Sequence, residues 1–371
     1  MKTNDKAVLI LGGYGNFGKR IAKALTKAGI VVHINGRSDS KAQRLIETLP
    51  KALAKSACFD VATDLGEELT RLKPQMVINT IGPFQGADYS TAHVCINAGV
   101  SYIDLADGRE FVTGFTSLDE LAKKKGVLAV SGASTVPGLS SAVVEAFKGD
   151  FKQLDSIDYG ISPGQRTDFG LATAEGVFSY VGKEIPPRMN AENTAVYGWQ
   201  NLHKKRFPDI GNRWFGNCEI PDHDLLPARY GFNKLRFGAG LEIPMLHLGL
   251  WAVSWLIRAG LPINLSKHAG SMLKVRKYFD RFGTDEGGMF VELKGKGHDG
   301  LNLTRNWFIV AKSGDGPEIP TIPAISLCKK YLLGEQTDVG AFACVGMVSL
   351  EDYLTELEDF DIQTYTELEG K

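Results

Sequence analysis

The feature that most constrains this chain is a run of four glycines in seven positions, GGYGNFG at residues 12–18. It lies between an apolar run at 7–12 and a segment with helical patterning at 16–28. Glycine loses more backbone freedom on folding than any other residue, so four of them imply a sharp bend that must carry no side chains. A strand, a glycine-rich turn and a helix in this order predict a dinucleotide-binding β-α-β unit.

Residues 13–18 form the pattern G-x-G-x-x-G within that run. We expect Gly13 to permit the tight turn, Gly15 to let a pyrophosphate approach the backbone, and Gly18 to let the helix pack closely on the strand. The N-terminus of the helix offers unpaired N–H groups and a partial positive charge to the phosphates. The alternative is a glycine-rich turn that binds no ligand. The other loop residues that we expect to bind the cofactor are Tyr14, Asn16 and Phe17.

The end of the second apolar run indicates which dinucleotide binds. NAD enzymes usually place Asp or Glu at this strand tip, where the carboxylate binds the ribose 2′-hydroxyl. Here the sequence is Asn35-Gly36-Arg37-Ser38, and Asp39 comes later, where we expect it to cap the next helix. Arg37 can pair with a 2′-phosphate through bidentate hydrogen bonds, and Ser38 can add another. The pattern predicts NADP(H), with a solvated surface arginine as the alternative.

Two later strand ends supply further candidate cofactor contacts. Asp60 closes the third apolar run, where it can accept a hydrogen bond from the adenine amino group or cap the next helix. The sequence NTIGPF at 79–84 ends the fourth run, and Gly82-Pro83 makes a fixed bend there. Ligands bind at the carboxyl edge of such sheets. We therefore expect Thr80, Gly82 and Pro83 to lie against the nicotinamide ribose and ring.

Short apolar runs alternate with helical segments up to about residue 132. The predicted strands cover 7–12, 31–35, 55–61, 76–82, 101–106 and 127–132, and the predicted helices cover 16–28, 38–48, 64–72, 87–98 and 115–125. Such alternation predicts an α/β fold, a Rossmann-type doubly wound parallel sheet with helices on both faces. Asp64 and Glu67 predict a capping box for the third helix. Beyond 132 the chain becomes irregular, with a hairpin predicted around His298-Asp299-Gly300 and no assignment for much of 183–240.

Composition excludes some classes of function. Lys and Arg number 42 and Asp and Glu 43, so the net charge of -1 gives no reason to expect nucleic-acid binding. Five scattered cysteines without a C-x-x-C pair indicate reduced thiols in a cytoplasmic protein. The first residues lack the apolar run and cleavage site of a signal peptide.

One apolar segment, residues 245–263, raises the question of membrane contact. Its uninterrupted part, Leu248 to Ile257, is about half of the ~20 residues that a span needs. A buried helix or the wall of an apolar pocket is therefore the preferred interpretation, and we do not expect membrane contact.

Several phrases along the chain resemble the saccharopine dehydrogenase family, specifically its shorter bacterial members. The phrases are GGYGNFG, NGRS, NTIGPFQ, GVSYIDLADGREFV, SGASTVPGLSS, FGTDEGGMFVELKGKG, GDGPEIPTIPA and GAFACVGMVSLEDYL. The resemblance implies a nucleotide-binding domain at 1–132, an α+β substrate and dimerisation domain at 133–335, and a segment at 336–371 that returns to the first domain. It also implies NADP(H)-linked oxidation or reduction at a carbon that bears an amino or imino nitrogen. A saccharopine substrate does not follow, because these bacterial members mostly carry the name by homology.

Carboxylates after the fifth strand are the candidate catalytic groups. The strand in YIDLAD would place Asp104 at the carboxyl edge beside the nicotinamide, and Asp107 follows in the same loop. Reduction of an imine needs a proton for the nitrogen, and the reverse reaction needs a base. A carboxylate in a closed apolar site can have its pKa raised towards that task. The alternative for Asp104 is that it only orders the loop through backbone N–H groups.

Other charged clusters are weaker candidates. The basic sequence at 201–214 could hold a substrate carboxylate, but a solvated face is the preferred interpretation, and Arg166 and Asp168 are comparable. Asp222-His223-Asp224 lacks a third spaced ligand, so we predict no metal site.

The sequence predicts an NADP(H)-dependent oxidoreductase that acts on an imine or amine carbon of a small molecule and works as a homodimer. An enoyl reductase and a non-catalytic NADP(H)-binding redox sensor remain alternatives. Gly12, Gly15 and Gly18 also fit the spacing of short-chain dehydrogenases, and Tyr230 and Lys234 formally fit the Tyr-x-x-x-Lys pair of those enzymes. We discount this match, because the two residues lie in a predicted extended segment outside the nucleotide-binding domain.

Overall fold

A computed structural model describes residues 6–168, 170–186 and 195–370. The chain divides into two compact units. The first comprises residues up to Leu139 together with Glu318–Glu356, and the second comprises Ser140–Pro317 together with residues from Leu357 onward. These divisions differ from the boundaries predicted at 132 and 335, since the chain re-enters the first unit some twenty residues before the predicted position.

The first unit contains a seven-stranded sheet in which every neighbouring pair is parallel. Its first six strands are β1 (Ala7–Leu11), β2 (Val31–Asn35), β3 (Ala54–Ala57), β4 (Met76–Asn79), β5 (Ser101–Asp104) and β6 (Leu128–Ser131). The seventh, β15 (Gly340–Ala343), adds beside β6 after the chain returns. The strand order is β15-β6-β5-β4-β1-β2-β3, which confirms the predicted doubly wound α/β fold.

Helices connect these strands as the alternation predicts. They are α1 (Gly18–Lys27), α2 (Asp39–Ile46), α3 (Val61–Leu72), α4 (Ser90–Asn97), α5 (Arg109–Gly114) and α6 (Asp119–Lys125), followed in the returning segment by α12 (Ile322–Leu333) and α13 (Leu350–Thr355). The strands β2, β4, β5 and β6 are buried along their whole length, as expected when helices cover both faces of a parallel sheet.

The predicted start of α3 is wrong. The helix begins three residues earlier, at Val61, and its N-cap is Asp60, whose Oδ1 accepts a hydrogen bond from the N–H of Ala62 at 2.9 Å. Asp64 therefore lies inside the helix, where its carboxylate accepts a hydrogen bond from the N–H of Asp60. Asp60 and Asp64 are both suitable N-cap residues, because a carboxylate can accept a hydrogen bond from the unpaired N–H groups at the start of a helix. The sequence pattern favours Asp64, the later of the two.

The second unit is built on a mixed seven-stranded sheet of order β10-β11-β12-β7-β13-β14-β16. Its strands are β7 (Phe151–Ser162), β10 (His203–Phe207), β11 (Gly211–Asn217), β12 (Lys234–Leu241), β13 (Gly287–Gly297), β14 (Asn302–Ala311) and β16 (Ile362–Gly370), and β8 (Glu184–Ile185) pairs with β9 (Val196–Tyr197) in a separate small sheet. The predicted hairpin is confirmed, because β13 and β14 pair antiparallel around residues 298–301. The unassigned stretch at 183–240 supplies β10, β11 and β12. The final strand β16 pairs with β14, so only part of the predicted returning segment lies in the first unit.

Five helices accompany this sheet: α7 (Ser140–Phe147), α8 (Leu171–Ser179), α9 (Asp222–Tyr230), α10 (Pro244–Arg258) and α11 (Ala269–Lys277). Helix α10 contains most of the apolar segment noted in the sequence. It is buried only at His247, Leu250 and Ser254, so the first of the two interpretations, a buried helix, is wrong. Among the described residues, no helix combines the length and the apolarity needed to cross a bilayer.

Candidate cofactor-binding site

The glycine loop between β1 and α1 turns at Gly12. This residue has φ +71°, a backbone conformation that residues with side chains rarely adopt, and its carbonyl accepts a hydrogen bond from the N–H of Gly15 at 2.8 Å. The expectation that Gly13 makes the turn is therefore corrected to Gly12. Gly13 is needed for packing instead, since a Cβ there would lie 2.9 Å from the Ile34 side chain.

Gly18 lies where the glycine loop meets the first turn of α1. A Cβ on Gly18 would approach the Gly13 Cα to 2.7 Å, and the carbonyl of Gly12 even more closely. Only glycine allows this approach, as the motif predicts. The first turn of α1 carries no acidic side chain of its own, and a helix N-terminus favours an anion. A sharp backbone turn at such a helix N-terminus fits a dinucleotide pyrophosphate.

Arg20 contacts the glycine loop at Asn16, and this contact was not predicted from the sequence. Its Nη1 donates to both the backbone carbonyl and the Oδ1 of Asn16, each at 2.6 Å, and its Nε lies 3.1 Å from the Glu318 carboxylate. Asn16 lies just before α1 and Arg20 lies in its first turn, so their closeness in the sequence was an available signal. Glu318 was not, because it lies some 300 residues away in the sequence.

Tyr14 joins the glycine loop to the segment after β2. Its hydroxyl oxygen accepts a hydrogen bond from the N–H of Ser38 at 3.1 Å, and its ring fills the space where a Cβ of Gly36 would lie. Lys41 lies above the same ring, with Nζ 6.0 Å from the centroid. Arg37, between Gly36 and Ser38, is exposed. The loop and the predicted 2′-phosphate segment therefore form one surface at the carboxyl edge of β1 and β2.

The ends of β2 and β3 are tied together next to this surface. Asn35 Nδ2 donates to the carbonyls of Ala57 and Phe59 at 3.0 and 3.2 Å. Asp60, which follows, caps α3, and this is one of the two roles that the sequence left open. Asp39 does not cap α2 through its side chain; its carboxylate accepts a hydrogen bond from Ser56 instead.

The end of β4 contacts the glycine loop from the other side. Thr80 Oγ1 donates to the carbonyl of Leu11 at 2.8 Å and lies 3.3 Å from that of Gly12. Asn79 Oδ1 accepts from the N–H of Ile81, and the Gly82-Pro83 bond that follows is cis. Thr80, Gly82 and Pro83 thus follow β4 at the sheet edge where β1 delivers the glycine loop.

Asp104 lies fully buried at the end of β5, with Oδ1 holding two loops. That oxygen accepts hydrogen bonds from the Ser131 hydroxyl, the Gly132 N–H and the Ala106 N–H, all within 3.0 Å. Burial raises the pKa of Asp104 to about 6, and these donors act in the opposite direction. The arrangement favours the loop-ordering alternative for this residue.

Asp107, three residues on, is only partly buried. Its Oδ1 accepts a hydrogen bond from Gln85 Nε2 at 3.0 Å. Burial raises its pKa, and the Gln85 hydrogen bond lowers it in part. Gly108 begins the cap of α5 and packs against the Phe84 backbone, where a Cβ would lie 3.2 Å from the carbonyl oxygen. The loops after β4 and β5 therefore meet around Asp107.

Three of the remaining charged candidates contact other residues of the second unit. Lys205 pairs with Glu292 at 2.7 Å, Arg213 lies 3.5 Å from Glu242, and Arg166 donates to the carbonyl of Asp280. Tyr230 ends α9, where its hydroxyl donates to Glu145, and Lys234 begins β12, so they do not form a dehydrogenase pair on one helix.

Asp222 begins α9 and is fully buried; its Oδ2 accepts from Ser140 and Tyr159. Within the parts of the chain that the structure describes, no three His, Cys, Asp or Glu side chains are grouped as metal ligands.

Comparison with known proteins agrees with this geometry. Residues 8–130 match the family model described as the saccharopine dehydrogenase NADP binding domain. A curated relative, the uncharacterized oxidoreductase YvaG of Bacillus subtilis strain 168, is 34% identical over 98 residues. That match covers 24% of this chain and 37% of YvaG, so the chain spans little more than a third of the relative's length.

Two solved structures share the fold along nearly the whole chain. Apo saccharopine dehydrogenase (L-Glu forming) of Saccharomyces cerevisiae matches with a TM-score of 0.65 at 13% identity, covering 98% of this chain and 100% of that one. Amine dehydrogenase of Mycobacterium smegmatis matches with a TM-score of 0.51 at 13% identity, covering 92% and 95%. The predicted resemblance is confirmed, and the match of residues 8–130 to an NADP-binding domain model supports a nicotinamide dinucleotide as the cofactor.

Proposed function

We propose that this chain, whose first unit matches the NADP-binding domain of saccharopine dehydrogenases, is an NADP(H)-dependent oxidoreductase acting on a carbon bonded to an amino or imino nitrogen. The observation that carries the cofactor choice is the surface formed by Tyr14, Gly36 and Ser38. Arg37, between Gly36 and Ser38, is exposed on this surface, and the tip of β2 carries no carboxylate.

The residues that would hold the dinucleotide follow from that surface. The loop at 12–18 would hold the pyrophosphate, and Arg37 with the Ser38 hydroxyl would hold the 2′-phosphate. The carboxylate of Asp60 retains acceptor capacity for an adenine amino group while it caps α3. The turn after β4, with Thr80, Gly82 and Pro83, would border the nicotinamide end.

Asp107 is our proposed proton donor and acceptor, and Asp104 is proposed to position its loop. A bound nicotinamide supplies the hydride for the substrate carbon or accepts it from there. Reduction of a C=N bond also requires a proton on nitrogen, and in the reverse direction a base must remove that proton. Asp107 is the more accessible of the two carboxyls, and burial raises its pKa, which suits it to hold a proton. The carboxylate of Asp104 accepts hydrogen bonds from the Ser131 hydroxyl and from two backbone N–H groups.

Support for an amino or imino substrate comes from the sequence resemblance and is strengthened by a shared fold with an enzyme named amine dehydrogenase. We further propose that the second unit supplies the contacts to this small-molecule substrate, and that the protein is a cytoplasmic homodimer. The five cysteines, which form no disulfide among the described residues, suit a reducing compartment. Light scattering of the purified protein at several concentrations tests the dimer.

Calorimetric titration with NADPH and NADH tests the cofactor assignment. We expect NADPH to bind tighter, and Arg37→Ala to lose about tenfold or more of NADPH affinity while NADH affinity changes little, since a charge-assisted bidentate contact is lost. Lys51→Ala is the matched control. It removes an exposed cation from the loop before β3, at the opposite edge of the parallel sheet. Equal effects of Arg37→Ala on both nucleotides would contradict a 2′-phosphate contact.

Turnover assays then test the reaction. NADPH oxidation in the presence of cyclic and open-chain imines, and NADP⁺ reduction by primary and secondary amines, should give activity above that with α,β-unsaturated acyl thioesters. Activity with only the thioesters would replace the proposal with an enoyl reductase. Tight NADPH binding without turnover on either panel would favour a redox sensor.

A further inference from the structure

Helix α10 presents an uncharged, apolar face to solvent. Its buried residues, at positions 247, 250 and 254, lie on one side of the helix. At 100° per residue, the opposite side carries six exposed residues without a charge among them. These are Met245, Leu248, Gly249, Ala252, Trp255 and Leu256. A helix that is apolar on every side is normally buried, so we expect another molecule to contact the exposed face of α10.

The exposed apolar side chains of the described residues concentrate around this helix. Fifteen large hydrophobic side chains are exposed, and eight of them lie between residues 245 and 282, a tenth of the chain. Met245 is 62% exposed and Trp255 46%. After α10 come Leu261, Val275, Tyr278 and Phe282, with Tyr278 79% exposed. Scattered surface apolar residues need no explanation, but such a concentration marks an interaction surface.

The same segment is strongly basic. Between residues 243 and 282 the chain has six Lys and Arg residues and a single acid, Asp280, although its net charge overall is -1. The guanidinium of Arg276 donates hydrogen bonds to the carbonyls of Gly164 and Thr167. The others, Arg258, Lys267, Lys274, Lys277 and Arg281, are exposed. Exposed aromatic and aliphatic side chains accompanied by cations are the pattern of helices that lie in the interface of anionic membranes.

The sequence predicts no membrane contact, but the exposed apolar face of α10 points the other way. We propose that α10 and the basic segment after it dock this protein on the surface of an anionic lipid bilayer, with α10 lying in the interface and not crossing it. The helix has 15 residues, short of the ~20 needed for a span. The positive charge of the segment favours an anionic bilayer over a second copy of the chain as the partner of this surface. A symmetric self-contact would bring the same cations of two copies together, whereas anionic headgroups attract all of them.

A core cluster supports α10 from beneath, so its outer face can be changed without disturbing the fold. Leu250 packs with Val181 and Trp199, joined by Ile257, Leu265 and Met272. None of these belongs to the outer stripe. The test variants are therefore Trp255→Ser/Leu256→Ser for the apolar face and Lys274→Glu/Lys277→Glu for the charge. The matched controls are Leu301→Ser/Leu333→Ser, which removes two leucines elsewhere that are at least as exposed, and Lys51→Glu/Lys204→Glu.

Vesicle flotation with the full chain tests the proposal without reference to turnover. We expect binding to vesicles that contain phosphatidylglycerol and much less to phosphatidylcholine alone, with a marked loss at high salt. Each α10–α11 double variant should weaken binding about tenfold or more, and each control should bind like wild type.

Three results would overturn the proposal. The first is the absence of binding to phosphatidylglycerol vesicles, and the second is unchanged binding by both test variants. The third is a shift from dimer to monomer in Trp255→Ser/Leu256→Ser without any wild-type binding to lipid, which would assign the face to a second copy. Because NADPH titration of the same samples reports the folded nucleotide-binding unit, failure to dock and failure of the proposed enzyme function are distinguishable.

Discussion

The hydroxyl oxygen of Tyr14 accepts a hydrogen bond from the N–H of Ser38 at 3.1 Å, so a side chain from the glycine loop is fixed to the segment that follows the second strand. Gly36 is what allows it, because the Tyr14 ring occupies the place of the missing Cβ. The two parts of the proposed NADP(H) site, one for pyrophosphate and one for the 2′-phosphate, are thus preorganised by a single aromatic ring.

Gly18→Ala should disrupt the glycine loop. The new methyl group would press on the Gly12 and Gly13 backbone, which cannot move aside as a flexible side chain could. We expect destabilisation by about 1–3 kcal/mol, typical of overpacking, together with loss of NADPH binding. Urea denaturation and calorimetric titration measure the two effects.

Gly66→Ala is the control for that substitution. Gly66 lies inside α3, where an added Cβ would contact only the Val94 side chain at 3.9 Å. Alanine is favoured over glycine in a helix, so this variant should gain about 0.5–1 kcal/mol and keep NADPH affinity. Equal stability of the two variants would mean that the loop does not need the close approach at position 18.

The nucleotide-binding half of the fold could be predicted because its signals are local. A strand such as β1 is a continuous apolar run, and helices of the right length separate the runs. The second unit lacks such signals. Its sheet pairs β7 in the middle of the chain with β12 and β13, and β14 with the final strand, so its order depends on contacts far apart in sequence. Nothing in the local pattern at 183–240 encodes those partners.

The site was predictable to a similar extent. The motif identified the right loop but assigned the turn to Gly13, because G-x-G-x-x-G and G-x-x-G-x-x-G overlap here and only φ at Gly12 separates them. The sequence also placed Asp104 and Asp107 in one loop. The sequence put Asp104 ahead of Asp107 as the catalytic carboxylate. We propose the reverse order because Ser131, the last residue of β6, and Gly132 after it both donate to Asp104, and the local pattern around β5 does not reveal these donors.

Substitution of the two carboxyls should separate positioning from proton transfer. Asp107→Asn keeps the size of the side chain but cannot exchange a proton, so kcat should fall about 100-fold, the lower range for general acid–base catalysis, with NADPH affinity unchanged. The pH dependence of kcat that wild type shows should disappear in this variant. Steady-state kinetics across a pH series measures both.

Asp104→Asn should keep most of the activity, because an amide oxygen can still accept from Ser131, Gly132 and Ala106. Asp104→Ala removes that acceptor and leaves three buried donors unpaired, at a cost of about 3 kcal/mol or more in unfolding free energy. A larger loss of kcat in Asp104→Asn than in Asp107→Asn would exchange the two roles.

Asp222 should make the second unit less stable as pH rises. Burial raises the pKa of this carboxyl to about 6 from 3.8, against the opposing effect of hydrogen bonds from Ser140 and Tyr159. The folded protein therefore holds a proton that the unfolded chain releases, and the resulting stability is present at low pH and lost as pH rises through about 6. Relative to Asp222→Asn, wild type should lose about 1.5 kcal/mol from about pH 5 to about pH 8.

Urea denaturation of both proteins at each pH measures this difference, in which the titration of all other groups cancels. Asp155→Asn, which changes an exposed carboxylate on β7, is the control and should track wild type. A constant difference between wild type and Asp222→Asn would show that the buried carboxyl does not titrate in this range.

Cys58 should be the one cysteine that thiol reagents modify quickly in the native protein. It is exposed, whereas the other four are buried, and burial raises the pKa of Cys95, Cys328 and Cys344 to about 12. We expect one fast equivalent with Ellman's reagent, absent in Cys58→Ser.

The same thiol reports on where the adenosine end of the cofactor binds. Cys58 lies between Ala57 and Phe59, whose carbonyls accept from Asn35, and two residues before Asp60. NADPH bound along the carboxyl edge of β1, β2 and β3 should therefore slow the labelling of Cys58, and should slow it less in Arg37→Ala at the same nucleotide concentration. Unchanged labelling at an NADPH concentration that calorimetry shows to be saturating would place the adenosine away from β3 and contradict the role proposed for Asp60.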